Sequence, residues 1–149
     1  MSIIDRFFQF FANRFGKNAR ATNPAAKPLT TRRRTGNAGE DFALKLLKKR
    51  GDKLVTQNWS CKSGELDLVT WHKSTLVFTE VRTRAGSAFG TPAETVDRKK
   101  QEKLRRAAHA FLAAHYPDGR LPCCRYDVVW IIGHDGTFTE SGIIEGAFV

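Results

Sequence analysis

Two acids and an arginine in the middle of the chain have the types and spacing to do chemistry. Asp67 lies in a predicted strand over residues 64–69, and Glu80 and Arg82 alternate along a second predicted strand over residues 77–82. Only a short turn separates the strands, so they should pair as an antiparallel hairpin with Asp67 and Glu80 on one face. Carboxylates among Leu, Val and Phe are costly to bury unless they are paired or bind a metal ion.

Clustered carboxylate oxygens suit a hard divalent cation, Mg²⁺ or Mn²⁺. Such an ion can polarise a phosphodiester and lower the pKa of a bound water, and Arg82 could stabilise the negative charge that develops on the phosphate. Glu40, on the core side of a predicted helix, could add a ligand or hold an outer water. These residues favour metal-assisted phosphodiester hydrolysis. The alternatives are a structural cross-strand network of Asp67, Glu80 and Arg82, and for Glu40 stabilisation of the helix dipole in the first turn.

The flanking patterns predict the elements that would position these side chains. A helix is expected from Gly36 to Arg50, and a second from the cap Thr91 to Tyr116. The remaining expectations are a strand over 53–59, a mobile loop over 84–90, an apolar strand over 125–132, a closing strand near 137–140 and an apolar tail over 143–149. We interpret Asp127 as structural, capping or pairing with Arg125. The order predicts an α/β domain with a mixed central sheet flanked by helices.

Basic side chains collect on one face of the second predicted helix. An excess this one-sided favours contact with nucleic-acid phosphates, and a solvated charged face is the alternative. Arg84, just after the hairpin, is grouped with them. The predicted nucleic-acid-binding residues are Arg84, Arg98, Lys99, Lys100 and Lys103.

The charge of the whole chain is uneven. The net charge of +10 indicates a polyanionic partner, nucleic acid first and an anionic membrane second. Residues 1–39 hold eight Lys/Arg and one acid (+7), whereas residues 40–149 hold 17 and 14 (+3). Three cysteines with no metal-binding spacing suit a reducing cytoplasm, and there is no apolar run of membrane-spanning length. We therefore expect a cytoplasmic protein.

The first 35 residues form a basic extension ahead of the domain expected over residues 36–149. Apolar side chains at helical spacing predict an amphipathic helix over residues 2–15, which would dock on its own domain or a second subunit, or else contact a membrane surface or nucleic acid. Residues 16–35 have the composition of a flexible basic linker.

Several motifs together resemble the bacterial YraN-type family. They are Gly36-x-x-Gly39-Glu40, Gly64-Glu65-Leu66-Asp67-Leu68, Phe78-Thr79-Glu80-Val81-Arg82-Thr83-Arg84, Phe89-Gly90-Thr91-Pro92 followed by Val96 and Lys100-Gln101, Arg125-Tyr126-Asp127-Val128-Val129, and the closing Ala147-Phe148. The resemblance covers residues 36–149 and leaves the extension outside it. That family is similar to archaeal Holliday-junction resolvases and to the restriction-endonuclease-like (PD-D/ExK) superfamily.

This resemblance implies an αβββαβ core and a Mg²⁺-dependent (or Mn²⁺-dependent) nuclease acting on DNA. Because resolvases act as dimers, it also makes a homodimer possible. By position, Glu40 is the acid of the first helix, Asp67 and Glu80 are the metal-binding acids, and Arg82 stands where the motif has lysine. Arginine stays charged and cannot take a proton, which weakens the catalytic mechanism without excluding it. The second hypothesis is therefore a nucleic-acid-binding module on the same fold with weak or lost catalysis.

Overall fold

The computed structural model describes residues 31–86 and 96–149, which form a five-stranded sheet with two helices. The elements in chain order are α1 (Thr31–Arg50), β1 (Lys53–Cys61), β2 (Gly64–His72), β3 (Thr75–Arg84), α2 (Arg98–His115), β4 (Cys124–His134) and β5 (Thr137–Phe148). The strands lie in the order β1-β2-β3-β4-β5, with β3 and β4 parallel and the other neighbours antiparallel. The predicted mixed-sheet α/β fold is confirmed, and it is consistent with a restriction-endonuclease-like core.

The two helices pack on opposite faces of this sheet. Leu68 on β2 packs in one core cluster with Ala43 and Leu47 of α1. Val69, the next residue, is paired with Phe78, so these two share the other face, where the Phe78 ring meets Phe111 of α2 at 5.9 Å between centroids. Because side chains alternate along a strand, Asp67 and Glu80 lie on the α2 face together with Val69 and Phe78.

Helix α1 begins five residues before its predicted start at Gly36. The end of the predicted linker is therefore helical, and Glu40 lies in the middle of α1, which rules out the first-turn dipole role. Gly39 marks a close approach of α1 to β3 and not a helix start, because a Cβ on it would lie 2.3 Å from the Thr83 Oγ1. Residues 1–30, including the predicted amphipathic helix and most of the linker, lie outside the described residues.

Helix α2 begins at Arg98, later than predicted. Asp97 is its N-cap, and the Asp97 side chain accepts a hydrogen bond from the Lys100 backbone N–H at 2.8 Å. Val96 is buried as expected but precedes the helix. The cap predicted at Thr91 and most of the predicted loop lie outside the described residues. Strand β5 is also longer than predicted, because its pairing with β4 extends through the expected apolar tail to Phe148.

A buried ion-pair network joins the end of α1 to Asp52, just before β1, and to β2, β4 and β5. Arg50 donates to both oxygens of Asp52 at 2.8 and 2.7 Å and to Asp127 at 3.1 Å, and the side chains of both acids are fully buried. Arg125 donates to Asp127 at 2.7 and 3.0 Å, which confirms the structural pairing predicted for Asp127. Burial raises the pKa of Asp52, but hydrogen bonds, first from Arg50 and then from His72, outweigh burial and hold that pKa below its usual range.

Candidate active site

Asp67 and Glu80 meet where the pairing of β2 with β3 stops. The last backbone pair joins Leu68 to Thr79, so Asp67 and Glu80 are the next opposed residues. In place of a further strand pair, the Asp67 side chain bridges the gap, and its Oδ2 accepts the Val81 backbone N–H at 2.8 Å. The hairpin thus does what the sequence predicts and brings the two acids together on one face.

Glu80 is almost completely buried, with 3% of its surface exposed. Its Oε1 lies 3.1 Å from the Lys100 Nζ of α2 and 3.7 Å from the Arg82 Nη1 of β3. Its Oε2 is buried and receives no hydrogen bond from a donor group in the described structure. Burial, followed by the charge of Asp67, raises the pKa of Glu80 to about 7, although Lys100 and Arg82 act in the opposite direction.

The pKa of Asp67 is also above its usual range. Burial raises its pKa, and the Val81 N–H and the positive charge of Lys100 only partly offset that effect. In this acid pair, Asp67 and Glu80, burial therefore raises the pKa values more than Lys100 and Arg82 lower them. Either a bound proton or a metal cation would relieve the cost of burying both carboxylates in the charged form.

Glu40 approaches the acid pair from α1 without joining it. Burial raises the pKa of Glu40, a hydrogen bond from Asn58 lowers it, and the charge of Asp67 raises it. Glu40 and Asp67 therefore interact electrostatically. The Glu40 Oε2 is buried and receives no hydrogen bond from the part of the chain that the structure describes. However, residues 31–86 and 96–149 contain no group of three His, Cys, Asp or Glu side chains spaced to hold a metal ion. Within these residues Glu40 thus lies near Asp67 without forming a three-carboxylate group with Asp67 and Glu80.

The basic side chains predicted for catalysis (Arg82) and for nucleic-acid binding divide into two groups. Arg82, whose side chain is 36% exposed, and Lys100, whose side chain is 27% exposed, both reach Glu80. Arg98, Lys99 and Lys103 are exposed along the first two turns of α2. Arg84 is the last residue of β3 and is partly exposed. The structure thus joins one of the expected phosphate contacts, Lys100, directly to the acid pair.

Two contributors were not foreseen from the sequence. Lys100 was expected only on a basic surface, and its contact with Glu80 depends on where α2 docks, which no local pattern reports. Asn58, which hydrogen-bonds to Glu40, has a positive φ of 54° in the middle of β1. Asparagine is one of the few residues other than glycine that often adopts this conformation, so Asn58 in a predicted strand was the available signal.

Neither helix of the described residues is long and apolar enough to cross a membrane. The described residues define an α/β domain with a mixed sheet and one helix on each face. A half-buried Asp67 and a buried Glu80 meet where two of its strands separate. That arrangement is consistent with the restriction-endonuclease-like class of folds.

The particular family follows from comparison with known proteins. Residues 39–131 match the model described as "Uncharacterised protein family UPF0102". A UPF0102 protein of Pseudomonas syringae pv. syringae (strain B728a) is 44% identical over 119 residues, which cover 80% of this chain and 96% of the relative. One from Stutzerimonas stutzeri (strain A1501) is 46% identical, covering 76% and 93%, and one from Moorella thermoacetica (strain ATCC 39073 / JCM 9320) is 40% identical, covering 79% and 98%. The chain belongs to the UPF0102 family, the YraN-type family that its motifs resemble.

Proposed function

We propose that this protein is a metal-dependent endonuclease that hydrolyses phosphodiester bonds of DNA, with branched or damaged DNA as the first substrates to test. The observation that carries the proposal is the acid pair, whose buried Glu80 Oε2 receives no hydrogen bond from any donor in residues 31–86 and 96–149. A purely structural network would be expected to pair each buried carboxylate oxygen with a donor. The ion-pair network around Asp52 and Asp127 does so far more completely.

The residues present fit a hard divalent cation. Asp67 and Glu80 would hold Mg²⁺ or Mn²⁺ through carboxylate oxygens, and the unsatisfied Glu40 Oε2 would accept a hydrogen bond from one of its waters. When bound there, such an ion would act as a Lewis acid on the phosphate and favour ionisation of a water. The raised pKa values of both acids are also what a site would have if it were completed by a cation.

The chain's own cations would act on the phosphate. Lys100 and Arg82 place two positive groups beside the acid pair, where they would stabilise negative charge on the phosphoryl oxygens. Arg82 can orient a phosphate through its planar fork, but it cannot take a proton. Lys100 supplies a compact ammonium, the group that position 82 lacks. Arg84, Arg98, Lys99 and Lys103 would contact the DNA backbone on either side.

A nicking assay on a panel of DNAs tests this proposal. The protein, given Mg²⁺ or Mn²⁺, should cleave at least one substrate among linear duplex, flap and four-way junction. Asp67→Asn should reduce the rate by at least about 10³-fold, because it removes a charged ligand. Glu102→Gln, at an exposed acid on α2, is the matched control and should keep the full rate. Activity that persists in Asp67→Asn would come from a contaminant or from another site, and it would overturn the proposal.

A DNA-binding module without catalysis is the second candidate. The arginine at position 82 favours it, because the lysine of the related motif is absent there. This function predicts salt-dependent DNA binding with no cleavage on any substrate, and weaker binding when Lys99, Lys100 and Lys103 are neutralised. In either case we propose a cytoplasmic location, which suits the three free cysteines. Sedimentation would test whether the protein is a monomer or a homodimer.

A further inference from the structure

A cleft of about 490 Å³ opens between the β1–β2 turn and the start of α2. It is distinct from the acid pair but shares one side chain with it, since Lys100 lines the cleft and also contacts Glu80. The end of β1 contributes Ser60 to the cleft, the turn contributes Lys62 and Ser63, and α2 contributes Lys100, Lys103 and Leu104. None of the turn residues was included in the nucleic-acid surface predicted from the sequence.

The charge of this cleft favours an anion. Its lining holds three lysines, Lys62, Lys100 and Lys103, against one acid, Glu65, which gives a net charge of +2. The serine hydroxyls of the turn add neutral hydrogen-bond donors, and Leu104 gives an apolar contact beside them. Positive charge, hydroxyl donors and a small apolar surface are what a phosphate and its attached sugar require.

The backbone on the turn side also lies close to α2. Gly64 has a φ of +149°, and a Cβ on it would lie 3.4 Å from the Lys103 carbonyl oxygen. Turn and helix are thus within van der Waals reach at Gly64, so the fold holds the backbones that carry Lys62 and Lys103 close together. A strand that enters along these lysines would meet Lys100 next and then the acid pair.

We propose that this cleft binds a backbone phosphate of a DNA strand, one nucleotide or more from the bond that is cleaved. The proposal rests on the proposed function for the identity of the strand as DNA. Lys62 and Lys103 contact the bound phosphate, and Lys100 stands between it and the phosphate at the acid pair. The binding needs no metal ion, so it can be measured separately from hydrolysis.

Cys61 provides a probe inside the cleft. It is partly exposed and lines the cleft, whereas the other free cysteines, Cys123 and Cys124, precede and begin β4. In the Cys124→Ser protein, the alkylation rates of Cys61 and Cys123 are measured by mass spectrometry in EDTA, with and without saturating duplex or single-stranded DNA. DNA should slow alkylation of Cys61 by at least about fivefold and leave Cys123 unchanged. Equal rates at Cys61 with and without bound DNA would overturn the proposal.

Affinity measurements provide the second arm. The variant with Lys62→Ala and Lys103→Ala should bind DNA at least about tenfold more weakly and lose about 0.9 from the salt slope of log K for each phosphate contact removed from duplex DNA. The control carries Lys45→Ala and Lys49→Ala, two exposed lysines of α1, and should match the wild type. Equal losses in both variants would mean that only total charge matters, which contradicts a specific subsite.

The two proposals can fail separately. If DNA protects Cys61 but is never cleaved, the phosphate-binding proposal for the cleft is supported and the nuclease proposal is refuted. If cleavage depends on Asp67 but DNA does not protect Cys61, the nuclease proposal is supported and the phosphate-binding proposal for the cleft is refuted. No binding of any DNA in EDTA, in a protein that still cleaves DNA with metal, would also refute the cleft, because its lysines do not depend on a metal ion.

Discussion

Glu80→Gln should change how the stability of the protein depends on pH. Burial and the charge of Asp67 raise the pKa of Glu80 to about 7 in the folded protein, from its ordinary value of 4.5. Between those two pH values the folded protein keeps a proton that the unfolded chain releases. The free energy of unfolding must therefore fall as the pH rises through this window, and the stability contributed by the protonated carboxyl is lost above pH 7.

The size of the effect follows from the same two pKa values. A shift from 4.5 to about 7, at 1.36 kcal/mol for each pKa unit, corresponds to a loss of up to about 3 kcal/mol. Glutamine has nearly the same shape and cannot ionise, so it avoids this loss. The free energy of unfolding of Glu80→Gln, minus that of the wild type, should therefore rise by up to about 3 kcal/mol between about pH 5 and about pH 8.5.

Urea unfolding in EDTA at the two pH values measures this difference. Glu102→Gln, at an exposed carboxylate of α2, should track the wild type at both. Addition of Mn²⁺ at pH 8.5 should stabilise the wild type, by about 2.7 kcal/mol at one hundred times the dissociation constant, and leave Glu80→Gln nearly unchanged. If the difference between Glu80→Gln and the wild type is the same at both pH values, Glu80 is not a buried acid with a raised pKa, and the reasoning about the acid pair fails.

Two further changes test the supporting structure. Gly39→Ala should lower the free energy of unfolding, because a Cβ 2.3 Å from the Thr83 Oγ1 costs about 1–3 kcal/mol, whereas the better helix propensity of alanine contributes only about 1 kcal/mol. Adding Thr83→Ala to this variant should restore stability. A Gly39→Ala protein more stable than the wild type would contradict the close approach of α1 to β3. Arg50→Met should lower the free energy of unfolding by about 3 kcal/mol or more, because it removes a partner from two fully buried carboxylates. Lys49→Met is its matched control in urea unfolding, and equal losses in the two would refute the importance of the network.

The acid pair could be predicted from the sequence because a hairpin with a short turn has one register. Alternation places Asp67 and Glu80 on one face, and a slip of one residue would have turned the apolar side chains of β2 away from the core. The actual pairing of Leu68 with Thr79 follows from the same constraint. Local pattern and tertiary structure agree here, because β2 and β3 are both largely buried and follow each other directly in the chain.

The surroundings of the pair could not be predicted in the same way. The start of α2 was expected at Thr91 because Thr-Pro is a strong helix-start signal, yet Asp97 is the cap of the helix that carries Lys100. The contact between Lys100 and Glu80 joins residues twenty positions apart and depends on how α2 lies on the sheet. Glycine at positions 36 and 39 was similarly ambiguous, because a glycine that begins a helix and a glycine that lets a helix approach a strand look the same in a sequence.

The role of residue 82 changes once Lys100 is placed beside Glu80. From the sequence alone, arginine at this position removes the ammonium that the related motif supplies, so Arg82→Lys should raise the rate of a weak nuclease. In the structure an ammonium is already present, 3.1 Å from Glu80 Oε1 and closer than the Arg82 guanidinium at 3.7 Å. Arg82→Lys should then change the cleavage rate by less than about threefold, whereas Lys100→Ala should reduce it by at least about 10²-fold. The reverse ranking would show that position 82 holds the required cation and that Lys100 only neutralises Glu80.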